Sequence, residues 1–172
     1  GLDESNLFER EPDLNNFPNG CHICEVEVDP ELGTIEIVKY TALDDCGVVL
    51  NPLIVHGQVY GGVAQGIGQA LTEDAIYDAE SGQLLAGSFM DYGMPHAMQF
   101  PRFKVEMTEH ATRGNPLRIK GGGEGGTTPA SAVVMNAICH ALNRSFFALR
   151  ADNHRGNTSK FSLFTNTGGA NF

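Results

Sequence analysis

The sequence predicts an α+β fold built from antiparallel hairpins and two principal helices, and three observations predict it. Glutamates alternate with apolar residues on both sides of a tight turn between His22 and Tyr40. Two stretches, Leu53 to about Leu71 and Ala130 to Leu142, carry helical start signals. Between the elements lie irregular connections rather than the regular strand–helix alternation of a parallel α/β sheet. At 172 residues the chain fits one domain.

Residues 1–20 are polar, carry Pro12 and Pro18, and show neither period, so they read as an extended lead-in. The segment His22–Val28, the turn Asp29-Pro30-Glu31-Leu32-Gly33 and the segment Thr34–Tyr40 then form an antiparallel hairpin with one wet face. Asp44-Asp45-Cys46-Gly47 makes an acidic elbow. Asn51 is suited to cap a helix whose first residue is Pro52. That helix contains Gly57, Gly61, Gly62, Gly66 and Gly68. At about 1 kcal/mol each relative to alanine, they cost about 4–5 kcal/mol that tertiary packing must offset. Gly57 and Gly61 sit one turn apart, as do Gly62 and Gly66, which leaves a bare strip for a neighbouring backbone or a flat ligand.

Farther along, Ala75–Asp78 and Gln83–Leu85 read as a second hairpin around Ser81-Gly82. Met94-Pro95 and Phe100-Pro101 mark irregular chain before an alternating strand, Phe103–Met107, and a short strand, Leu117–Ile119. Ala130, Val133, Val134, Ala137, Ile138, Ala141 and Leu142 complete a helical apolar face. Thr128 is the expected cap and Pro129 the first-turn residue, so the helix should begin two or three residues past Gly126. From Arg144 to Phe172 the chain turns polar, and Phe161–Phe164 reads as an edge strand within a polar tail.

The formal net charge of −10 argues against nucleic acid as a partner, because phosphate binding needs clustered lysine and arginine. The sequence shows no apolar run of about 20 residues and no basic, apolar leader, so no membrane association is expected and a cytoplasmic location is. Four cysteines, Cys21, Cys24, Cys46 and Cys139, are too irregularly spaced for a disulfide framework. Cys21-His22-Ile23-Cys24 offers half of a zinc site, but no second pair follows. On a strand its two thiols would also face opposite ways.

Five glycines in seven positions surround one acid in Gly121-Gly122-Gly123-Glu124-Gly125-Gly126-Thr127. So dense a run in an ordered protein means that the backbone must approach something closely. A strand, a glycine loop and a helix N-terminus make a generic anion site. A phosphate loop, however, places lysine after its glycines, whereas Lys120 precedes them here and Glu124 would repel a nucleoside triphosphate. The dinucleotide pattern fails as well, for want of a parallel βαβ unit. No G-x-S-x-G nucleophile motif is present, nor any H-E-x-x-H spacing, so the histidines read as surface or packing residues. Two readings of Glu124 stand: a general base that glycines let a reactant approach, in a pocket whose exclusion of water strengthens a carboxylate base, or an exposed loop glutamate. Gln65, between the glycines of the first helix, either contacts a polar ring or phosphate or is solvated.

Taken in order, Asp44–Pro52, Gly57–Leu71 with its Ala64-Gln65-Gly66, and Lys120–Thr127 resemble the molybdenum hydroxylase family. That family includes xanthine dehydrogenase, aldehyde oxidase and the large subunit of aerobic carbon monoxide dehydrogenase. The similarity runs from about Phe17 to Leu142 and takes in Ser88–Tyr92 and Met94-Pro95. It implies the carboxyl-terminal part of a molybdopterin-binding subunit, resembling the family's second molybdopterin-binding domain, here residues 21–143, with 144–172 as a tail unlike the family's ending.

By the same resemblance Glu124 is the base that activates a water-derived hydroxide for attack on an electron-poor carbon. Gln65 and Gly66 contact the molybdenum-bearing pterin, whether mononucleotide or dinucleotide, and Gly123 lies beside the metal. The resemblance implies a preceding molybdopterin domain or chain and partner subunits carrying iron–sulfur clusters and FAD, without which turnover is not expected. An isolated chain should expose an apolar and glycine-rich surface and self-associate. The tract has glycine where the family more often has valine second and alanine after the glutamate, which loosens the loop. A rival reading keeps the fold without chemistry, as a cofactor-carrying, assembly or truncated homologue.

Overall fold

Alternation in the first hairpin produces two long strands, β1 (Asn19–Asp29) and β2 (Thr34–Asp45), joined by a turn in which the Asp29 carboxylate accepts from the amides of Glu31 and Leu32 and Gly33 takes a positive φ of 69°. The computed structural model describes residues 2–7, 9 and 16–142. The tail 144–172, with its expected edge strand, lies outside the described residues. Pairing is antiparallel and steps from Glu25↔Lys39 to Val26↔Ile37, leaving Val38 as an extra, 51% exposed residue. This bulge reverses the parity of β2. Ile37 lies inward before it, and Tyr40, Ala42 and Asp44 lie inward after it, opposite His22 and Cys24 of β1.

The third strand, β3 (Lys104–Thr108), adds to the free edge of β2 in parallel, from Thr41↔Lys104 to Asp45↔Thr108. The sheet is therefore mixed, in the order β1-β2-β3. Two expected elements shrink. The second hairpin survives as one bridge, Tyr77↔Leu84, and Leu117–Ile119 as one bridge, Gly47↔Ile119, because Arg118 adopts φ 60° and cannot continue a strand.

Helix α1 (Pro52–Leu71) begins as expected, with the Asn51 side chain accepting from the Ile54 amide at 3.2 Å. Helix α2 (Thr127–Ala141) does not. Thr128 is not its cap, for its hydroxyl donates back to the Glu124 carbonyl at 2.9 Å, as do the amides of Thr127 and Thr128 at 3.1 Å. Gly126 is itself helical, φ −68° and ψ −40°, so the helix starts directly out of the glycine tract. Packing explains why. A Cβ at Gly126 would lie 2.5 Å from the Val59 carbonyl, one at Gly66 2.6 Å from the Ala130 methyl, and one at Gly62 2.9 Å from the Thr127 amide. The two helices thus approach through bare backbone, and the Thr127 and Ser131 hydroxyls donate to the carbonyls of Gly62 and Gly66 at 3.1 and 2.9 Å.

The core lies between this helix pair and the sheet, with α2 across β1 and with Tyr40, Val63, Ile67, Ala130 and Val134 fully buried. Among the described residues no helix is long and apolar enough to cross a membrane.

Beneath the core, Asp45 at the end of β2 is 1% exposed and pairs with Lys120, 12% exposed, at the foot of the glycine tract. It also accepts from the amides of Gly47 at 2.9 Å and His110 at 3.0 Å and from the Asn19 side chain at 3.2 Å. Burial pushes this carboxyl up, but the Lys120 hydrogen bond, the two amides and the lysine charge together outweigh it and hold the pKa at about 2. In a second buried group, His22 places Nδ1 2.9 Å from the Tyr40 hydroxyl and Nε2 3.1 Å from Asp44. Burial, then the neighbouring Cys24 and Asp44, push the Tyr40 hydroxyl up, so it stays a donor.

Two predictions follow from this packing and are read by chemical denaturation. Gly66→Ala should destabilise the chain by about 2 kcal/mol through overpacking. Gly57→Ala, whose Cβ would meet nothing within 4 Å, should instead stabilise it by up to about 1 kcal/mol. Because the folded Asp45 carboxyl titrates below its ordinary 3.8, its contribution of about 2 kcal/mol is present above pH ~4 and lost as pH falls through ~2. Asp45→Asn should cost about 3 kcal/mol at neutral pH, since it leaves Lys120 unpaired, and should flatten the acid limb of the stability–pH curve.

Candidate functional site

The glycine tract is tied down at both ends before it can present anything. At its start the Lys120 side chain is held by Asp45, its amide donates to the Cys46 carbonyl at 2.7 Å, and the Gly47↔Ile119 bridge closes the neck. Asn115 braces the same neck, its side chain both donating to the Ile119 carbonyl at 2.8 Å and accepting from the Ile119 amide at 3.2 Å. At its end the tract runs into α2, seated on Gly62 and Val59. Cys46 lies under Gly122, and its thiol is pushed up by burial and by the Asp45 charge, which keeps it protonated. Lys120, which in a phosphate loop would meet the ligand, is committed to Asp45.

Between these anchors and α1 opens a cleft of about 360 Å³. Gly57, Gln58, Gly61, Gly62 and Gln65 line one side, and Gly123, Glu124, Thr127 and Thr128 the other. The structure thus brings together Glu124, Gln65 and Gly123, three residues singled out in the sequence although 59 positions separate the first two. Gly66 stands elsewhere, buried against Ala130 behind the cleft, where it serves helix packing. Glu124 is exposed, and among the described residues its carboxylate has no hydrogen-bond partner. The water exclusion that a carboxylate base calls for is therefore not supplied by the described residues themselves.

The glycines of α1 divide their work. Gly62 and Gly66 let α2 approach, whereas Gly57 and Gly61 have nothing within 4 Å of a built Cβ and open onto the cleft. Gly121, Gly123 and Gly125 are equally bare. The surface can accept a flat, polar molecule against peptide groups, with the Gln65 amide at one side and a carboxylate at the other. Among the described residues no group of three or more His, Cys, Asp or Glu side chains could hold a metal ion, so a metal here needs ligands from an organic cofactor or another segment.

Sequence reasoning missed Gln58, which donates to the Gly123 carbonyl at 2.9 Å, and Thr127, whose hydroxyl lies 3.5 Å from the Gln65 carbonyl oxygen. The signal for Gln58 was its spacing, Gln58-x-x-Gly61-Gly62-x-x-Gln65, which puts both amides on one helix face.

Comparison with known proteins agrees with this architecture. A family model described as the molybdopterin cofactor-binding domain matches residues 3–101. The chain is 42% identical over 127 residues to the nicotine 6-hydroxylase large subunit of Paenarthrobacter nicotinovorans, covering 74% of this chain and 15% of that protein. It is 31% identical over 155 residues to the carbon monoxide dehydrogenase large chain of Afipia carboxidovorans, covering 88% and 19%. Coverage that long within 172 residues takes in both α1 and the glycine tract. Among solved structures, quinoline 2-oxidoreductase from Pseudomonas putida superposes with a TM-score of 0.70 at 39% identity, over 73% of this chain and 16% of that one. The aldehyde oxidoreductase of Desulfovibrio gigas does so with 0.64 at 31%, over 71% and 13%. The chain thus spans about 15% of the length of the first of the curated relatives it matches. With its mixed sheet, paired helices and glycine-lined cleft, it belongs to the molybdopterin cofactor-binding domains of the molybdenum hydroxylase family.

Proposed function

We propose that this chain forms the carboxyl-terminal molybdopterin-binding part of a cytoplasmic molybdenum hydroxylase, an oxidoreductase that hydroxylates an aldehyde or N-heterocycle with oxygen derived from water. The observation that carries the reading is the cleft in which Glu124 and Gln65 face one space across unsubstituted backbone. The residues fit the cofactor. Gly57, Gly61 and Gly123 let a ring system lie against peptide groups, and Gln65 offers both a donor and an acceptor to its polar edge. When bound, the cofactor supplies the molybdenum centre that takes up the electrons of the oxidation.

Glu124 acts as general base, accepting at a carboxylate oxygen the proton of the water-derived nucleophile, a role worth about 10²–10⁴-fold in rate. Gly123 and Gly125 on either side leave a reactant free to approach it. The wall that excludes water comes from a preceding molybdopterin domain or chain, and partner subunits carrying iron–sulfur clusters and FAD remove electrons. Relatives named as the large chain of carbon monoxide dehydrogenase and as subunit gamma of a dehydrogenase complex support such an assembly. So does the exposed apolar surface beside the cleft, where Leu53 is 84% and Ile54 65% exposed at the start of α1.

The test uses the complex purified from its native source, with molybdenum and pterin quantified and aldehydes and N-heterocycles screened as substrates. Glu124→Gln should lower turnover by at least about 100-fold with cofactor content unchanged. Wild-type turnover in that variant would remove the base assignment. Gln65→Ala should lower the pterin and molybdenum content of the purified complex, and full loading would show that its amide does not hold the cofactor.

A further inference from the structure

Gln58 stands seven residues before Gln65, so the two amides lie on one face of α1, two turns apart, with Gly61 and Gly62 between them. Its Nε2 donates to the Gly123 carbonyl at 2.9 Å. The loop it grips has little else to hold it. A Cβ built at Gly121, Gly123 or Gly125 would meet nothing within 4 Å, and one at Gly122 would meet only Cys46. Among the described residues no other side chain bonds the backbone of positions 121–123. A trans peptide places its carbonyl and its amide on opposite sides. Turning the Gly123 carbonyl toward α1 therefore turns the Glu124 amide away from it and fixes the plane from which the Glu124 side chain departs.

We infer that Gln58 is a positioning residue, which sets the direction in which the Glu124 carboxylate enters the cleft by holding the Gly123 carbonyl against α1. This rests on the reading of Glu124 as the base. The chemistry of the side chain fits the task. An uncharged amide grips a carbonyl without placing a cation beside the carboxylate one residue away, where lysine or arginine would pair with the acid and weaken it as a base. Four glycines in the five positions 121–125 leave the loop the largest conformational freedom available to a chain, so one external hydrogen bond at its centre removes much of it.

The experiment compares wild type with Gln58→Met, which keeps the side chain's length and removes the donor, in the purified native complex. Hydrogen exchange followed by mass spectrometry over residues 121–128 reads the brace directly, because the Thr127 and Thr128 amides bond to the Glu124 carbonyl. Exchange there should rise about tenfold, with α1 peptides unchanged. kcat should fall about 10- to 100-fold, with KM and molybdenum and pterin content unaltered. Gln58→Leu, uncharged and without a donor on an exposed helix position, carries the same expectations should methionine prevent assembly. Unchanged exchange overturns the brace, whatever Glu124 does. Faster exchange with wild-type kcat overturns the positioning role in a complex where Glu124→Gln is inactive. If Glu124→Gln is itself fully active, the base reading has failed, and with it the inference that Gln58 positions a base, while the exchange rates still decide whether the hydrogen bond holds the loop.

Discussion

The buried pair between Asp45 and Lys120 is the constraint on which the glycine tract depends. A loop with so few side chains has almost no means of holding its own shape, so its geometry must be imposed where it enters and where it leaves. At the entrance Asp45 collects the lysine, two backbone amides and the Asn19 side chain, and so joins the end of β2, the start of β1, the segment after β3 and the foot of the tract. A buried ion pair adds little net stability over an apolar substitute, but it accepts only one arrangement of its partners. That selectivity suits the foot of a loop that must aim one side chain.

Backbone contact imposes the exit. Gly62, Gly66 and Gly126 let α1 and α2 meet so closely that threonine and serine hydroxyls bond across to carbonyls of the neighbouring helix. These contacts offset part of the helical cost of the glycines in α1. The helix uses the same residue type for two ends: glycine facing α2 removes bulk so that two backbones can touch, and glycine facing the cleft removes bulk so that a ligand can.

What results is an open cleft. The cleft has two sides, while its carboxylate stays exposed and apolar residues at the start of α1 remain uncovered. A carboxylate gains force as a base where other groups displace solvent. The exposed Leu53 and Ile54 are of the kind that burial against another surface would satisfy.

Local pattern was enough for much of this. The Glu25-to-Glu36 alternation, the Asn51-Pro52 start and the apolar face from Ala130 to Leu142 could all be read along the chain, because strand period and capping are properties of neighbours in sequence, whereas Glu124 and Gln65 were joined only by the family resemblance. The parallel register of β3 and the bulge at Val38 could not, since each is chosen by which buried faces meet across the sheet. Nor could the start of α2 within the tract, which is decided by Gly126 lying against α1, so that Thr128 turned from an expected cap into a donor to the residue it follows by four. The partners of Lys120 and Gln58 stand 75 and 65 positions away, and only the folded chain brings them together. Sequence determined which groups are available, whereas tertiary structure decided which of them face each other, because contact across such distances is set by packing and not by period.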